Sequence, residues 1–394
     1  MRLSDRIGRV APSQTLAVKQ AAAELRASGR SVIDFGPGEP DVDTPAHVVL
    51  AAKESLDRGE THYTASAGVP ALRAALATSL GKRAGVELSP ASILATCGGK
   101  SGILYIMLAL LNDGDEVILP APCWVSFPEQ AKLAGGTPVM VPCSAEDGFV
   151  PRMEDLEAAV TGRTRLLVIN SPANPTGAVV PASFWDDLAA LASKHDFMVL
   201  SDETYLDFVY DGTVATSALS RRDAFGDHLV VSGSFSKTYA MTGWRVGYTW
   251  SPAALHKALQ TLQSQDTTHP ATFVQYAAVA ALEGPQDPVK EMVATYGRRR
   301  QVILEALAGI PGITCDAPRG AFYVFPDVRG AMERTGCSSD VEFALRALQE
   351  AGVAMVAGTA FAGPGHVRLT YAVSEEDIKE GVSRLGKWVQ DARV

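Results

Sequence analysis

Leu229-Val230-Val231-Ser232-Gly233-Ser234-Phe235-Ser236-Lys237 opens on three apolar residues and closes on a lysine among small and hydroxyl side chains. The apolar triplet reads as a short buried strand. The polar cluster then falls at that strand's carboxyl end, where open α/β sheets gather their ligands. The run continues through Thr238 to Trp244-Arg245, so a fixed cation stands eight positions beyond the lysine. An amine for an imine, hydroxyls and backbone N–H groups for a phosphate, and an arginine to match its charge are what a phosphorylated carbonyl compound needs. Read alone, the run leaves a solvated lysine in a polar loop equally open.

Two more polar clusters repeat the pattern. Leu166–Ile169 leads to Asn170 and on to Asn174-Pro175-Thr176-Gly177, and Met198–Leu200 leads to Ser201-Asp202-Glu203-Thr204-Tyr205. Asn-Pro-Thr-Gly by itself is a good turn, but three clusters at three strand ends are expected to converge. Apolar runs at Glu116–Leu119, Thr137–Val141 and Val246–Trp250 also read as strands, and helical stretches such as Pro181–His195 separate several of them. This alternation predicts an α/β fold, a mainly parallel sheet flanked by helices, in a large domain at residues 46–288. Beyond it, Val289–Leu307 and Asp340–Ala351 read as helices, and Phe322–Phe325, Val353–Val356 and Val367–Thr370 as strands. These predict a smaller α+β domain at 289–394, joined by the N-terminal residues 1–45. Within that segment Thr15–Ser28 reads as an amphipathic helix stopped by Gly29, and Val32–Phe35 as extended.

Of the 394 residues 47% are hydrophobic and 20% charged, with a formal net charge of −9. Binding nucleic acid needs clustered Lys and Arg, and the longest basic block is Arg298-Arg299-Arg300, which reads as a solvated helix face. No apolar run reaches the roughly 18–20 residues of a membrane span. The opening Met-Arg-Leu-Ser-Asp-Arg-Ile-Gly-Arg lacks a signal peptide's apolar stretch. Five cysteines (97, 123, 143, 315 and 337) form no CxxC pair and leave an odd count, the pattern of a reduced cytoplasmic protein. The seven histidines show no HxH or HxxxH spacing, so no metal site is expected.

Longer motifs join the clusters: Gly36-Pro37-Gly38-Glu39-Pro40-Asp41, His62-Tyr63-Thr64, Gly98-Gly99-Lys100, Pro122-Cys123-Trp124, Ser171–Gly177, Ser201-Asp202-Glu203, Ser234–Arg245 and Val367-Arg368-Leu369. In this order, nearly end to end, the chain resembles the class I, fold-type I aminotransferases dependent on pyridoxal 5′-phosphate (PLP). Within them it is similar to the bacterial aspartate and prephenate aminotransferase subgroup. The resemblance implies amino-group transfer between an L-amino acid and a 2-oxo acid by a ping-pong mechanism. It implies that Lys237 forms the imine with PLP and moves the proton, and that Asp202 keeps the pyridine nitrogen protonated so the ring can accept electrons. Tyr205 and Asn174 would hydrogen-bond the phenolic oxygen, and Trp124 would stack on the ring. Ser234, Ser236, Arg245 and the backbone of Gly99 and Lys100 would hold the phosphate, the last two at the start of the helical run Ser101–Leu111. Arg368 would clamp the substrate α-carboxylate, with Trp124, Asn174 and Gly38 beside it, Gly38 allowing close backbone approach. The Asn174–Pro175 bond is a plausible cis peptide. Tyr63 would reach the phosphate of a neighbouring subunit, which implies a homodimer with shared active sites. From the charge and apolar runs above, no nucleic-acid or membrane partner is expected.

The chain departs from the subgroup at three places. The lysine often found before Pro-Ser near the N-terminus is Ala11, although Thr15 remains. Ser101-Gly102-Ile103-Leu104-Tyr105 replaces the usual run after Gly98-Gly99-Lys100, and Cys123 replaces the tyrosine common before the tryptophan. A buried carboxylate without a cation costs several kcal/mol, so Lys19 or another basic residue substitutes, or the side-chain pocket is neutral. Three alternatives therefore stand beside an aspartate-type enzyme: the same chemistry on a neutral or aromatic amino acid, a PLP-dependent lyase on the same scaffold, and an effector domain of a transcriptional regulator. The last would bring an N-terminal winged helix, whereas here the resemblance begins within about a dozen residues of Met1.

Overall fold

The computed structural model describes the chain apart from Arg2, Ser13, Arg393 and Val394, and apart from the side chains of Gln14, Thr15, Leu16 and Lys19. Its strands are β1 (Ile33–Asp34), β2 (Ile93–Thr96), β3 (Glu116–Ala121), β4 (Thr137–Pro142), β5 (Thr164–Asn170), β6 (Met198–Asp202), β7 (Leu229–Ser234), β8 (Gly247–Trp250), β9 (Tyr323–Val324), β10 (Val353–Ala354), β11 (Val356–Ala357) and β12 (Val367–Thr370). Strands β2 to β8 form one seven-stranded sheet in the order β2-β8-β7-β6-β5-β3-β4. Only β8 runs against the rest, antiparallel to β2 on one side and β7 on the other. The sheet is thus mixed but mainly parallel, as the alternation predicts.

Near-continuous burial along β2, β3, β6 and β7 explains their sequences. A strand covered by helices on both faces needs apolar residues at every position, not at alternate ones. Helix Ala182–His195 covers part of one face and buries Phe184, Trp185, Leu188 and Leu191, a stripe at helical spacing. Strand β2 is short and was not expected from the sequence; only its pairing with β8 defines it.

Register brings the functional strand ends level. Asn170 pairs with Asp202, Asp202 with Ser232, Ser234 with Gly247, and Gly247 with Thr96. The carboxyl ends of β5, β6, β7 and β2 and the start of β8 therefore meet at one end of the sheet.

A separate core forms around Phe35, Tyr296, Phe322, Phe343 and Tyr371, with Tyr205 and Phe208 reaching in from beside the large sheet. Here β11-β12-β9 make an antiparallel sheet, and β1 pairs in parallel with β10. The run Val353–Val356, expected as one strand, divides at Met355, and its two halves join different sheets. The run Arg298–Arg300 also differs from expectation. Arg300 is buried, donating to Pro318 O at 2.7 Å, pairing with Asp211 at 2.9 Å and lying over the Tyr210 ring. Arg299 pairs with Asp41 at 2.9 Å. Helix periodicity turns these side chains inward, because a three-residue block spans most of one turn.

Candidate active site

Lys237 occupies the last turn of the short helix Phe235–Thr238, directly after β7. Ser234 caps that helix, its hydroxyl accepting from the Ser236 amide at 3.1 Å and donating to Ser236 Oγ at 2.8 Å. The Lys237 amine donates to Gly38 O, from a loop some two hundred residues away in sequence. Burial pulls its pKa down to about 8; Glu39 opposes the shift, while Arg368, Arg245 and Lys100 add to it.

The opposite wall is a cradle of backbone. Helix Gly99–Leu110 starts at Gly98, whose φ of +81° is left-handed. A Cβ on Gly98 would stand 2.5 Å from Arg245 Nη2, and one on Gly247 would stand 2.5 Å from the Gly99 nitrogen. The glycines let β8, the Arg245 side chain and the helix N-terminus meet without side chains between them. Arg245 itself takes a φ of +57° and donates to Thr242 O at 2.8 Å. Lys100 is held at 5.0 Å over the Trp124 ring, so its side chain belongs to the site wall as well as its backbone.

Asp202 ends β6. It is buried, and its Oδ1 accepts from the Thr204 amide at 3.1 Å and from Thr204 Oγ1 at 2.7 Å. Burial raises its pKa to about 6, and the Thr204 bonds offset part of that. Asn170 ties the neighbouring segments together. Its Nδ2 donates to Asp202 O at 3.1 Å, and its Oδ1 accepts from the Asn174 amide at 2.8 Å. The Asn174–Pro175 bond is cis.

Arg368, on β12, is buried. Its Nη1 donates to Asn174 Oδ1 at 3.0 Å and its Nη2 to Gly36 O at 2.6 Å, while its Nε has no hydrogen-bond partner among the described residues. The rings of Tyr323 and Phe361 lie 4.4 and 4.9 Å from its Cζ. No carboxylate of the described residues pairs with it, and burial lowers its pKa.

These groups border one cavity of about 320 Å³. Twelve of the thirteen residues singled out from the sequence line it: Gly38, Gly99, Lys100, Trp124, Asn174, Asp202, Tyr205, Ser234, Ser236, Lys237, Arg245 and Arg368. Tyr63 does not; it is 87% exposed and packs edge-on against His269. Ile103, Asn170, Thr204 and Tyr323 line the cavity too and were not singled out. Ile103 belongs to the run that departs from the subgroup, and Thr204 follows Asp202-Glu203 in its motif. Tyr323 lay in a run read only as a strand, with no local signal of chemistry. Ala11 lies outside the cavity, donating its amide to Glu129 Oε2 at 2.6 Å. Thr15 and Lys19 lie outside the described side chains.

A mainly parallel sheet carries a half-buried lysine at one strand end, and a buried arginine without a carboxylate partner among the described residues faces the same cavity, the architecture of an α/β enzyme. The family of class I and II aminotransferases matches residues 30–385, and this chain belongs to it. The chain is 40% identical to the aspartate aminotransferase of Geobacillus stearothermophilus over 390 residues, 99% of each chain. It is 41% identical to the aspartate/prephenate aminotransferase of Cereibacter sphaeroides over 97% of each. Its fold is similar to that of the Thermus thermophilus aspartate aminotransferase solved with maleate, with a TM-score of 0.92 and 41% identity, covering 98% of this chain and all of that one. The fold is that of the fold-type I PLP-dependent transferases, and the enzyme is an aminotransferase.

Proposed function

We propose that the cavity holds PLP and that the enzyme moves an amino group between a dicarboxylic L-amino acid and a 2-oxo acid in a ping-pong cycle. The observation that carries this reading is the charge balance: Lys100, Lys237, Arg245 and Arg368 line the cavity with one carboxylate, Asp202. Four cations against one carboxylate along a concave wall, one of them the buried Arg368, call for anionic ligands, and a phosphate with a substrate carboxylate answers them. The donor set fits the cofactor. The Gly99 amide heads a helix N-terminus, Ser234 and Ser236 offer hydroxyls, and the absent side chains of Gly98 and Gly247 leave backbone N–H groups accessible.

Bound there, PLP supplies an electron sink for the pair left when the substrate Cα–H bond breaks. Lys237 carries the amine that anchors the carbonyl carbon. With its pKa near 8 it also takes the Cα proton and later returns it. Asp202, backed by Thr204, holds a proton at the ring nitrogen. Asn174 spends its Oδ1 on Arg368, which leaves its Nδ2 to donate to the phenolic oxygen alongside Tyr205. Trp124 forms a flat wall against the ring. Arg368 binds the α-carboxylate, gaining a partner for a charge that is otherwise buried unpaired. Ala11 brings no charge, so the distal carboxylate falls to Lys100, the cation nearest the Trp124 face.

The parallel pairing of β1 with β10 supports a division into a large domain, 46–288, and a small one made of 1–45 and 289–394. The exposure of Tyr63 supports a homodimer in which this side chain completes the neighbouring subunit's site. All five cysteines are free thiols, in keeping with the cytoplasm, and no helix of the described residues is long and apolar enough to cross a membrane.

Borohydride reduction of the cofactor-loaded protein, followed by peptide mapping, is expected to leave the pyridoxyl group on Lys237. A label on any other lysine overturns the assignment. A half-reaction screen of the twenty amino acids, read as loss of the cofactor's visible band, is expected to show aspartate and glutamate fastest. Fastest bleaching by aromatic or neutral donors would transfer the reading to that substrate class.

A further inference from the structure

Tyr323 touches both halves of the proposed site. It is fully buried on β9, its hydroxyl lies 2.8 Å from the Tyr205 hydroxyl, and its ring lies against Arg368. A Cβ on Gly38 would come within 2.7 Å of the Tyr323 hydroxyl, so that glycine makes room for it. We propose that Tyr323 is a positioning residue: its hydroxyl donates to Tyr205 and so turns the Tyr205 proton toward the cofactor's phenolic oxygen, while its ring holds Arg368 in place for the substrate. The inference rests on the reading of Tyr205 given above.

Counting protons sets the direction of the bond. A phenol has one proton. If Tyr205 gives its proton to the phenolic oxygen, its own oxygen can only accept, and the group 2.8 Å away must donate. Burial raises both phenols' pKa, so both stay protonated in the working range. In a chain of two hydroxyls in a low-dielectric site, each bond polarises the next. Tyr205 becomes a stronger donor than it would be alone, and the phenolic oxygen is better stabilised as an anion. The ring contributes separately, since its face meets a guanidinium whose hydrogen-bond acceptors among the described residues are both neutral.

The test uses the full-length, cofactor-loaded protein and reads the pH midpoint of the cofactor's visible absorbance change, beside KM and kcat. Tyr205→Phe is the reference; it leaves the phenolic oxygen more basic and moves the midpoint up by about one pH unit or more. Tyr323→Phe keeps the ring and is expected to move the midpoint up by roughly a third to a half of that shift. It lowers kcat severalfold and changes KM for the donor by less than about twofold. The double variant is expected to match Tyr205→Phe alone, because Tyr323 acts through Tyr205. Tyr323→Leu removes the ring as well, and KM is expected to rise about fivefold or more. If Tyr205→Phe moves the midpoint and Tyr323→Phe does not, the positioning role is overturned. If Tyr205→Phe moves nothing, the fault lies in the reading of Tyr205 itself. Installing 3-fluorotyrosine at position 323 preserves the fold and acidifies the hydroxyl, so the midpoint is expected to fall. A midpoint that stays or rises there overturns the proposal.

Discussion

Arg368 shows how one residue carries both function and its cost. Its guanidinium is buried, and among the described residues the Gly36 carbonyl, the Asn174 amide and two aromatic faces surround it. Removing an unpaired buried charge relieves desolvation, while removing a bidentate partner from a substrate carboxylate costs about 2–5 kcal/mol. Arg368→Met is therefore expected to raise KM about 10²-fold or more for every amino donor, because all share the α-carboxylate. The apoprotein is expected to melt no lower than the wild type. An effect confined to dicarboxylic donors would show that another group binds the α-carboxylate. Lys237 makes a matching statement about pH. Its folded pKa of about 8 lies below the ordinary 10.5, so the folded state holds fewer protons than the unfolded state between those values. Its destabilising burial is felt in full below pH about 8 and is relieved as pH rises toward 10.5. Asp202 acts in another window: its pKa is raised from 3.8 to about 6, so stability from this group is lost as pH rises through that interval. Denaturant unfolding of the apoprotein is expected to show the alkaline gain in wild type and its absence in Lys237→Met. Equal pH profiles for the two proteins would contradict the depressed lysine.

Among the elements, the β7–β8 connection does most to build the site. It begins at Ser234, which caps the helix bearing Lys237, and ends at Gly247, which pairs with both Ser234 and Thr96. A Cβ at Gly247 would meet the Gly99 nitrogen at 2.5 Å, the Gly98 carbonyl carbon at 2.7 Å and Gly233 O at 2.8 Å. All three contacts are backbone, so none yields by a rotamer change. Gly247→Ala is expected to destabilise the protein by about 1–3 kcal/mol or more and to weaken cofactor binding by displacing the helix N-terminus that begins at Gly99. Urea unfolding with equilibrium dialysis of the cofactor checks both, and unchanged affinity would remove the cradle from the phosphate site. The sequence exposed most of this element, since its serines, lysine and arginine sit close together along the chain. It did not expose why Gly247 is glycine, because the groups that exclude a side chain come from residues 98, 99 and 233.

At the scale of the whole molecule, Tyr63 is the residue that a single chain leaves unexplained. It is 87% exposed and lies outside the cavity of its own chain. An aromatic residue of this size left in water suits an interface position. Tyr63→Leu is expected to raise the cofactor dissociation constant about tenfold through the partner subunit, and sedimentation of the wild-type protein is expected to show a dimer. A fully active monomer would overturn the shared site. By itself the sequence exposed the α/β alternation and the clusters that hold Lys237, Asp202, the serines and Arg245, because those signals are local: apolar runs of strand length, each followed by a polar cluster at its end. Arg368 stood out only through the family resemblance. Tertiary structure alone decided what meets across long separations. The short strand β2 exists through its pairing with β8, the run at 353–357 divides between two sheets, and Arg300 turns inward to Asp211. Tyr323 acquires its place only when the second core carries it against Tyr205 and Arg368. Packing is a property of surfaces brought together by the fold, and one residue's own sequence neighbours carry no record of which surface it will meet.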